Sequence, residues 1–414
     1  MSKQFDDMDL SSIDNIELAA DVDTPETKPA KAKKDVPTPT EVEQMSDEEI
    51  KQGLDTFADD EVKGLYQEFS QLLDKQQEIQ SSPDNVMTIP TGIKVMDAIL
   101  GGGFVVGKLN IVVGQPGCGK SMIAMQAAGR AQIKYKNCIV MYLDAEESTT
   151  TKRLMDLGVK YPPIEPYTEM TVEKVFRIVE SLCVFKHEKN IIDTPSVIIW
   201  DSIANTPSEK EQTITDPNQV IGYKARILTQ LLPQYVSKCS KYNICLLSVN
   251  QLRDVIAMGP YSAPRDLKLM SSHKDMPGGN SLKFNTNQLL EMKTRSVLDI
   301  NKFGFEGILV RGKCVKNKLF RPNVEFDIVG NFMRGFSNFW TSYNFLVETK
   351  RLKSGAWNYL VNHPTVKFRT KDALLKYRDD LEFRKAFDNE IDEAIQTEII
   401  NKYNDVESDI IDVE

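Results

Sequence analysis

The sequence predicts an α/β fold with a mostly parallel central sheet flanked by helices, and three observations lead there. Apolar runs too continuous for a strand with one wet face recur at Leu109–Val113, Cys138–Leu143, Ser196–Trp200 and Ile244–Val249. Helical patterns separate them, as the crossovers between parallel strands require. Each run then ends in small or polar residues: Gly114, Asp144-Ala145-Glu146, Asp201-Ser202 and Asn250-Gln251. Ligands of open parallel sheets bind at the carboxyl ends of the strands, so the candidate site is that row of strand ends.

The elements follow in order. Residues 1–45 are acidic and polar, with Pro25, Pro29, Pro37 and Pro39 and a small basic cluster at Lys31, Lys33 and Lys34. Such a segment buries too little apolar surface to order itself and is expected to be a disordered acidic tail. Ser46-Asp47-Glu48-Glu49 has the pattern of a capping box. Leu54, Phe57, Val62, Leu65, Tyr66, Phe69, Leu72 and Leu73 then recur at helical spacing, so 46–85 is expected to be an oligomerisation helix and linker, broken at Ser81-Ser82-Pro83-Asp84.

The core is expected over 86–345. Its helices are placed after Ser121, over Thr150–Leu157, over Glu169–Cys183 and over Val220–Ser240. Further strands are expected at Gln288–Met292, Phe305–Lys316 and Asn323–Val329. A small helical region, 346–400, with a helix over Thr370–Phe387, and an acidic tail, 401–414, complete the chain.

Composition narrows the classes of function. The 414 residues carry a formal charge of -9, which argues against a uniformly basic nucleic-acid coat but leaves room for a local basic groove. Six cysteines lie scattered without CxxC pairs, and His187, His273 and His363 are far apart, which argues against structural zinc and for reduced thiols. No apolar run approaches membrane length and no basic-then-apolar leader opens the sequence. The expected compartment is the cytoplasm, with no membrane partner.

The chemistry starts at Gly114-Gln115-Pro116-Gly117-Cys118-Gly119-Lys120-Ser121, which sits between an apolar strand and a helix opening at Met122. That is the GxxxxGK[ST] phosphate-binding loop. Its glycines let backbone N–H groups converge on a phosphate chain, and the helix N-terminus adds fractional positive charge. Lys120 is expected to reach the outer phosphates and the Ser121 hydroxyl to ligate magnesium. Asp201 is expected to hold the same metal, Glu146 to orient and activate the attacking water, and Gln251 to sense the terminal phosphate. For Cys118 the reading is a small residue fitting the turn rather than a redox group. The long stretch 252–279 is expected to be functional, with its spaced cations Arg253, Arg265, Lys268 and Lys274.

In this order the chain resembles the RecA recombinase family, most like its phage branch of UvsX-type strand-exchange proteins. The likeness runs from about Ile89 to Tyr359. It rests on IPTGIKVMDAILGGGFVVGKL, GQPGCGKS, YLDAEESTTTKRLMDLGV, VIIWDSIANTPSEKE, LLSVNQLRDVI, GGNSLKFNTNQLLEM, VKNKLFRP and SGAWNYL. The resemblance implies a RecA-like core binding ATP and Mg2+, with Glu146 as the catalytic carboxylate and Gln251 coupling phosphate state to DNA. It places Lys316 and Lys318 on the nucleotide of an adjacent protomer. Thr150 and Arg153 stand where bacterial members often carry the aspartate and tyrosine at the adenine. Two disordered DNA loops map to Pro207–Ile221 and Leu252–Gly279, with Gly278, Gly279, Asn280 and Lys283 as further DNA contacts.

The function implied is a DNA-dependent ATPase that forms filaments on single-stranded DNA and pairs it with homologous double-stranded DNA. The implied partners are other copies of the chain, DNA of both kinds, a loader or mediator and a single-strand-binding protein; the place is the host cytoplasm if the source is viral. Two alternatives share the core: a hexameric DnaB-like replicative helicase, and a nucleotide-gated DNA-binding scaffold with negligible turnover.

Overall fold

The computed structural model describes residues 86–160, 170–214, 222–254 and 274–402. The expected tail at 1–45, the helix within 46–85, Arg265 and Lys268, and all of the expected tail at 401–414 except its first two residues lie outside the described residues.

The chain enters through β1 (Thr88–Ile89), which pairs antiparallel with β2 (Phe104–Val105). Between them runs α1 (Lys94–Leu100), whose Val95, Met96, Ile99 and Leu100 are buried. Next come β3 (Leu109–Gly114), α2 (Lys120–Lys134) and β4 (Ile139–Asp144). The short α3 (Thr151–Asp156) and the long α4 (Val172–Glu188) lead into β5 (Ser196–Asp201). A one-turn helix, α5 (Glu209–Thr213), and α6 (Tyr223–Lys241) lead into β6 (Ile244–Gln251).

Beyond it, the two-residue strands β7 (Arg253–Asp254) and β8 (Lys274–Asp275) pair antiparallel, and α7 (Asn280–Asn285) follows. The strands β9 (Thr286–Val297), β10 (Ile308–Asn317), β11 (Val324–Asn331) and β12 (Gly335–Phe336) complete the main sheet, whose order is β12-β11-β10-β9-β3-β6-β5-β4.

The parallel strands bury both faces, which is why they read as unbroken apolar runs. In β3, Leu109, Ile111 and Val113 enter one apolar cluster and Val112 the other. β5 alternates likewise, Val197 and Ile199 against Ile198 and Trp200. The helix after β3 lies in the first cluster, through Ile123, Ala124, Ala127, Ala128 and Ala131, whereas α4 and α6 lie in the second, through Phe176, Val179, Leu228 and Leu232. The crossover thus changes face after β3, which opens a crevice at its carboxyl end. Registers Gly114↔Gln251 and Asp144↔Asp201 align the strand ends along that crevice.

Three expectations need correction. β9 runs to Val297 rather than to Met292, because its later residues, exposed and mostly polar, remain paired with β10. The helix expected over Thr370–Phe387 breaks at Asp380, which is extended and caps a new helix, Leu381–Ile395, by accepting the Phe383 N–H at 2.9 Å. The region 346–400 is also not wholly helical. It carries a three-stranded antiparallel sheet, Leu352–Lys353, Asn358–Leu360 and His363–Phe368, as well as helices. Phe383, Phe387 and Ile391 share one cluster with Ile93 and Met96, so this region packs on the same core as the phosphate-loop helix.

Candidate active site

Each functional side chain is placed by a strand end. Gly114 terminates β3, where a Cβ would come within 2.2 Å of the Met292 carbonyl oxygen, so only glycine lets β9 approach there. Gly119 has φ 85°, a left-handed conformation that turns the loop into α2 and that side chains disfavour. Cys118 is buried, its thiol donates to the Gln115 carbonyl at 3.0 Å, and burial pushes its pKa up. It fills the turn, and the redox role finds no support. The Lys120 ammonium donates to the Gln115 carbonyl at 2.8 Å, across the mouth of the loop.

Ser121 and Asp201 line the crevice together, the Ser121 hydroxyl near enough to favour the ionised Asp201 carboxylate. Asp201 is buried, which raises its carboxyl pKa, and the charges of Glu146 and Asp144 push the same way. Tyr142, on β4, donates its hydroxyl to Asp201 Oδ2 at 2.7 Å and is pushed well above the ordinary phenol range by burial and by that carboxylate. An oxygen-only donor set of a hydroxyl and one carboxylate, crowded by further negative charge, suits a magnesium ion shared with phosphate oxygens.

Glu146 follows β4 in a turn that Asp144 organises, its carboxylate accepting the N–H groups of Glu146, Ser148 and Thr149 at 3.1, 3.0 and 2.8 Å. The Glu146 Oε1 accepts from Ser202 Oγ at 2.9 Å, Asn205 Nδ2 at 2.7 Å and Gln251 Nε2 at 3.2 Å. Its neighbour Asn250 is buried and structural, donating to the Pro277 carbonyl at 2.9 Å. One crevice of about 350 Å³ is lined by Pro116, Gly117, Lys120, Ser121, Glu146 and Asp201, and also by Gln251, Arg153 and Phe332. The sequence-predicted phosphate, metal, water-activating and sensor residues therefore converge.

Comparison with known proteins now bears on this geometry. The family model for the RecA N-terminal domain matches residues 72–337, well over half of the chain. The chain belongs to the RecA family. Protein RecA of Ehrlichia ruminantium is 31% identical over 255 residues, 61% of this chain and 66% of that protein. Protein RecA of Syntrophobacter fumaroxidans is 30% identical over 280 residues, covering 66% and 74%. Protein RecA of Malacoplasma penetrans is 27% identical over 327 residues, covering 76% and 91%. RecA-family proteins are the ATPases of DNA recombination and repair, and these matches favour neither the helicase nor the scaffold alternative.

Other RecA-like positions fall elsewhere. Thr150 caps α3, accepting the Arg153 N–H at 3.2 Å. Arg153 turns its guanidinium to the Phe332 and Met333 carbonyls, with 3.3 Å to the latter, and lines the crevice with Phe332. Lys316 pairs with Leu289, which pairs with Ile111, whereas Gly114 lies level with Met292 and Gly312. Four residues along β10 is about 13 Å, so Lys316 sits toward the opposite edge of the sheet from its own phosphate loop. There its ammonium donates to the Lys283 and Phe284 carbonyls at 2.6 and 3.0 Å, and burial lowers its pKa. Lys318 follows just past the end of β10.

Of the expected DNA contacts, the Arg253 and Lys274 backbones lie in the paired β7 and β8. Gly278, with φ 107°, and Gly279, with φ 78°, turn the chain into α7, which Asn280 starts and in which Lys283 lies. The first loop is partly ordered, contrary to expectation. Ser208 and Glu211 form a reciprocal capping box that holds α5, a pattern legible as Ser-x-x-Glu. Sequence reasoning missed Phe332, which lines the crevice, and Tyr142, Ser202 and Asn205, which hold its Asp201 and Glu146 from behind. Ser202, next to Asp201, carried a weak signal; Asn205 carried none.

Proposed function

We propose that the chain is a DNA-dependent ATPase that forms head-to-tail filaments on single-stranded DNA and drives homologous pairing and strand exchange. The observation that supports it most is the convergence of Lys120, Ser121, Glu146, Asp201 and Gln251 on one crevice at the carboxyl edge of the sheet. In this reading the loop amides and Lys120 bind the triphosphate. Ser121 and Asp201 hold Mg2+, which neutralises charge on the phosphates when bound. Among the described residues, all hydrogen bonds to the Glu146 carboxylate fall on Oε1, which leaves Oε2 to orient and deprotonate the attacking water. Gln251 reads the terminal phosphate.

Arg153 and Phe332 bound the base end. Lys316 and Lys318 serve the neighbouring protomer's nucleotide, since their own lies toward the other edge of the sheet. DNA follows the segments that Arg253, Arg265, Lys268, Lys274 and Gly278–Lys283 frame. We place the chain nearest the phage UvsX-type branch on the ordered motifs from Ile89 to Tyr359, with a loader and a single-strand-binding protein as partners in the host cytoplasm.

Electron microscopy with ATP and a long single strand tests the reading: continuous helical filaments are expected, shortened or lost on deleting residues 1–80. Closed rings that unwind a forked duplex directionally would contradict it.

A further inference from the structure

The Glu146 carboxylate is held by more than catalysis asks. Three donors from two strand ends, Ser202 and Asn205 after β5 and Gln251 at the end of β6, all reach Oε1 and crowd it. A Gln251 amide engaged there spends one of its two N–H donors on Glu146 and is turned toward the carboxylate. Asn205 also stands at a junction. Its neighbours Ile203 and Ala204 offer their carbonyls to Lys224 Nζ at 3.1 and 2.9 Å, and Lys224 belongs to the first turn of α6. A cleft of about 440 Å³ is lined by Asn205, Glu211, Lys224, Pro277 and Gly278. The turn that holds Glu146 is thus tied to the described residues flanking both segments that the proposed function gives to DNA.

Resting on that reading of Glu146 and Gln251, we propose that Asn205 is a positioning residue of a resting latch. With Ser202 it holds the Glu146 carboxylate in a place where Gln251 docks on it, so the water-activating group and the phosphate sensor restrain one another. The latch opens when Gln251 transfers from Oε1 to the terminal phosphate. Opening is coupled to DNA because Lys224 and Pro277, at the roots of the two segments, frame the same turn. A hydrogen bond to a carboxylate is worth enough to shift such a two-state balance several-fold even at an exposed site.

The test is ATP turnover by the full-length chain, with and without saturating single-stranded DNA, for Asn205→Leu, which keeps the bulk and loses the donor, and for Asn205→Gln, which keeps an amide. Asn205→Leu is expected to raise the DNA-free kcat by roughly threefold or more, with KM for ATP unmoved, so that the stimulation ratio falls; Asn205→Gln is expected to restore part of that ratio. An unchanged or lowered DNA-free kcat in Asn205→Leu overturns the latch, because a residue that merely orients Glu146 for catalysis lowers turnover when lost. Asn205 is exposed, so the variant folds, and thermal melts of the two variants check this. A wild-type chain that does not hydrolyse ATP with DNA contradicts the proposed function instead, which separates the two failures.

Discussion

The two halves of the main sheet differ in where they keep their charge. In the parallel half, β3 to β6, the strand interiors are apolar on both faces and the reactive groups stand at the carboxyl ends. In the antiparallel half one face is apolar, with Leu290, Val310 and Phe326 in the core. Its other face is a ladder of charge: Lys293 and Arg295 on β9, Arg311 and Lys313 on β10, Glu325 and Asp327 on β11, around a groove of about 390 Å³. Buried crossovers force the first arrangement, and a sheet with one free face permits the second. The difference teaches that carboxylates in this molecule have two jobs. At the parallel ends Asp201 is desolvated, its pKa raised, and it is suited to a cation from outside. On the antiparallel face Asp327 is answered from within the chain.

The contrast is sharpest at Lys120. Lys120→Ala removes the one lysine of the phosphate loop and is expected to weaken nucleotide binding on the order of 1,000-fold, about 4 kcal/mol, in a fluorescent-nucleotide titration; the fold is expected to survive, since the ammonium's hydrogen bond is to the loop's own Gln115 carbonyl. Asp327 is the counterpart. Its side chain is fully buried and receives Arg295, and Arg311 Nε at 2.7 Å. Burial alone would raise its pKa, but the two guanidiniums outweigh that and hold it below the usual carboxylate range. Asp327→Ala is expected to cost about 2 kcal/mol of unfolding free energy, because two partly exposed guanidiniums lose their hydrogen-bonded partner and keep water in its place, and to leave nucleotide affinity unchanged.

The lowered pKa fixes the sign of the pH effect. The stability from Asp327 is present above the unfolded carboxylate pKa and is lost as pH falls through the folded one. Acid melts of the wild type are therefore expected to lose stability below about pH 4, and Asp327→Ala to show a flatter acid limb.

Lys316 probes the sheet from its other edge. Lys316→Ala is expected to bind nucleotide normally yet lose cooperative, DNA-stimulated turnover by about tenfold, about 1.4 kcal/mol. Normal stimulated turnover would remove it from the neighbouring site. The smallest effect belongs to the half-exposed ladder. Lys313, 3.3 Å from Glu325, is expected to contribute below about 0.5 kcal/mol when changed to Ala.

How much of this was legible in the sequence follows from the same contrast. The parallel strands announced themselves because burial on both faces leaves long apolar runs, and the phosphate loop, Glu146, Asp201 and Gln251 stand where those runs stop. The antiparallel strands are legible too, but β9 is cut short, since Lys293 and Arg295 look like a strand's end when only the sequence is seen. The break at Asp380 hid inside a helical pattern because a capping aspartate between two amphipathic turns changes direction without breaking the spacing. Asn205 and Phe332 were invisible for another reason. Both meet crevice residues through pairings between segments distant in sequence, Asn205 to Glu146 and Phe332 to Arg153, and nothing local marks them.

Hydrolysis at the carboxyl ends of the parallel strands is tested most directly by Glu146→Gln, which keeps the shape of the side chain and removes its ability to take a proton. Single-turnover and steady-state ATP hydrolysis on saturating single-stranded DNA, with nucleotide binding measured alongside, is expected to show a loss of roughly 100-fold or more in kcat with binding within about twofold of wild type. Unchanged turnover on DNA with binding intact would contradict the account.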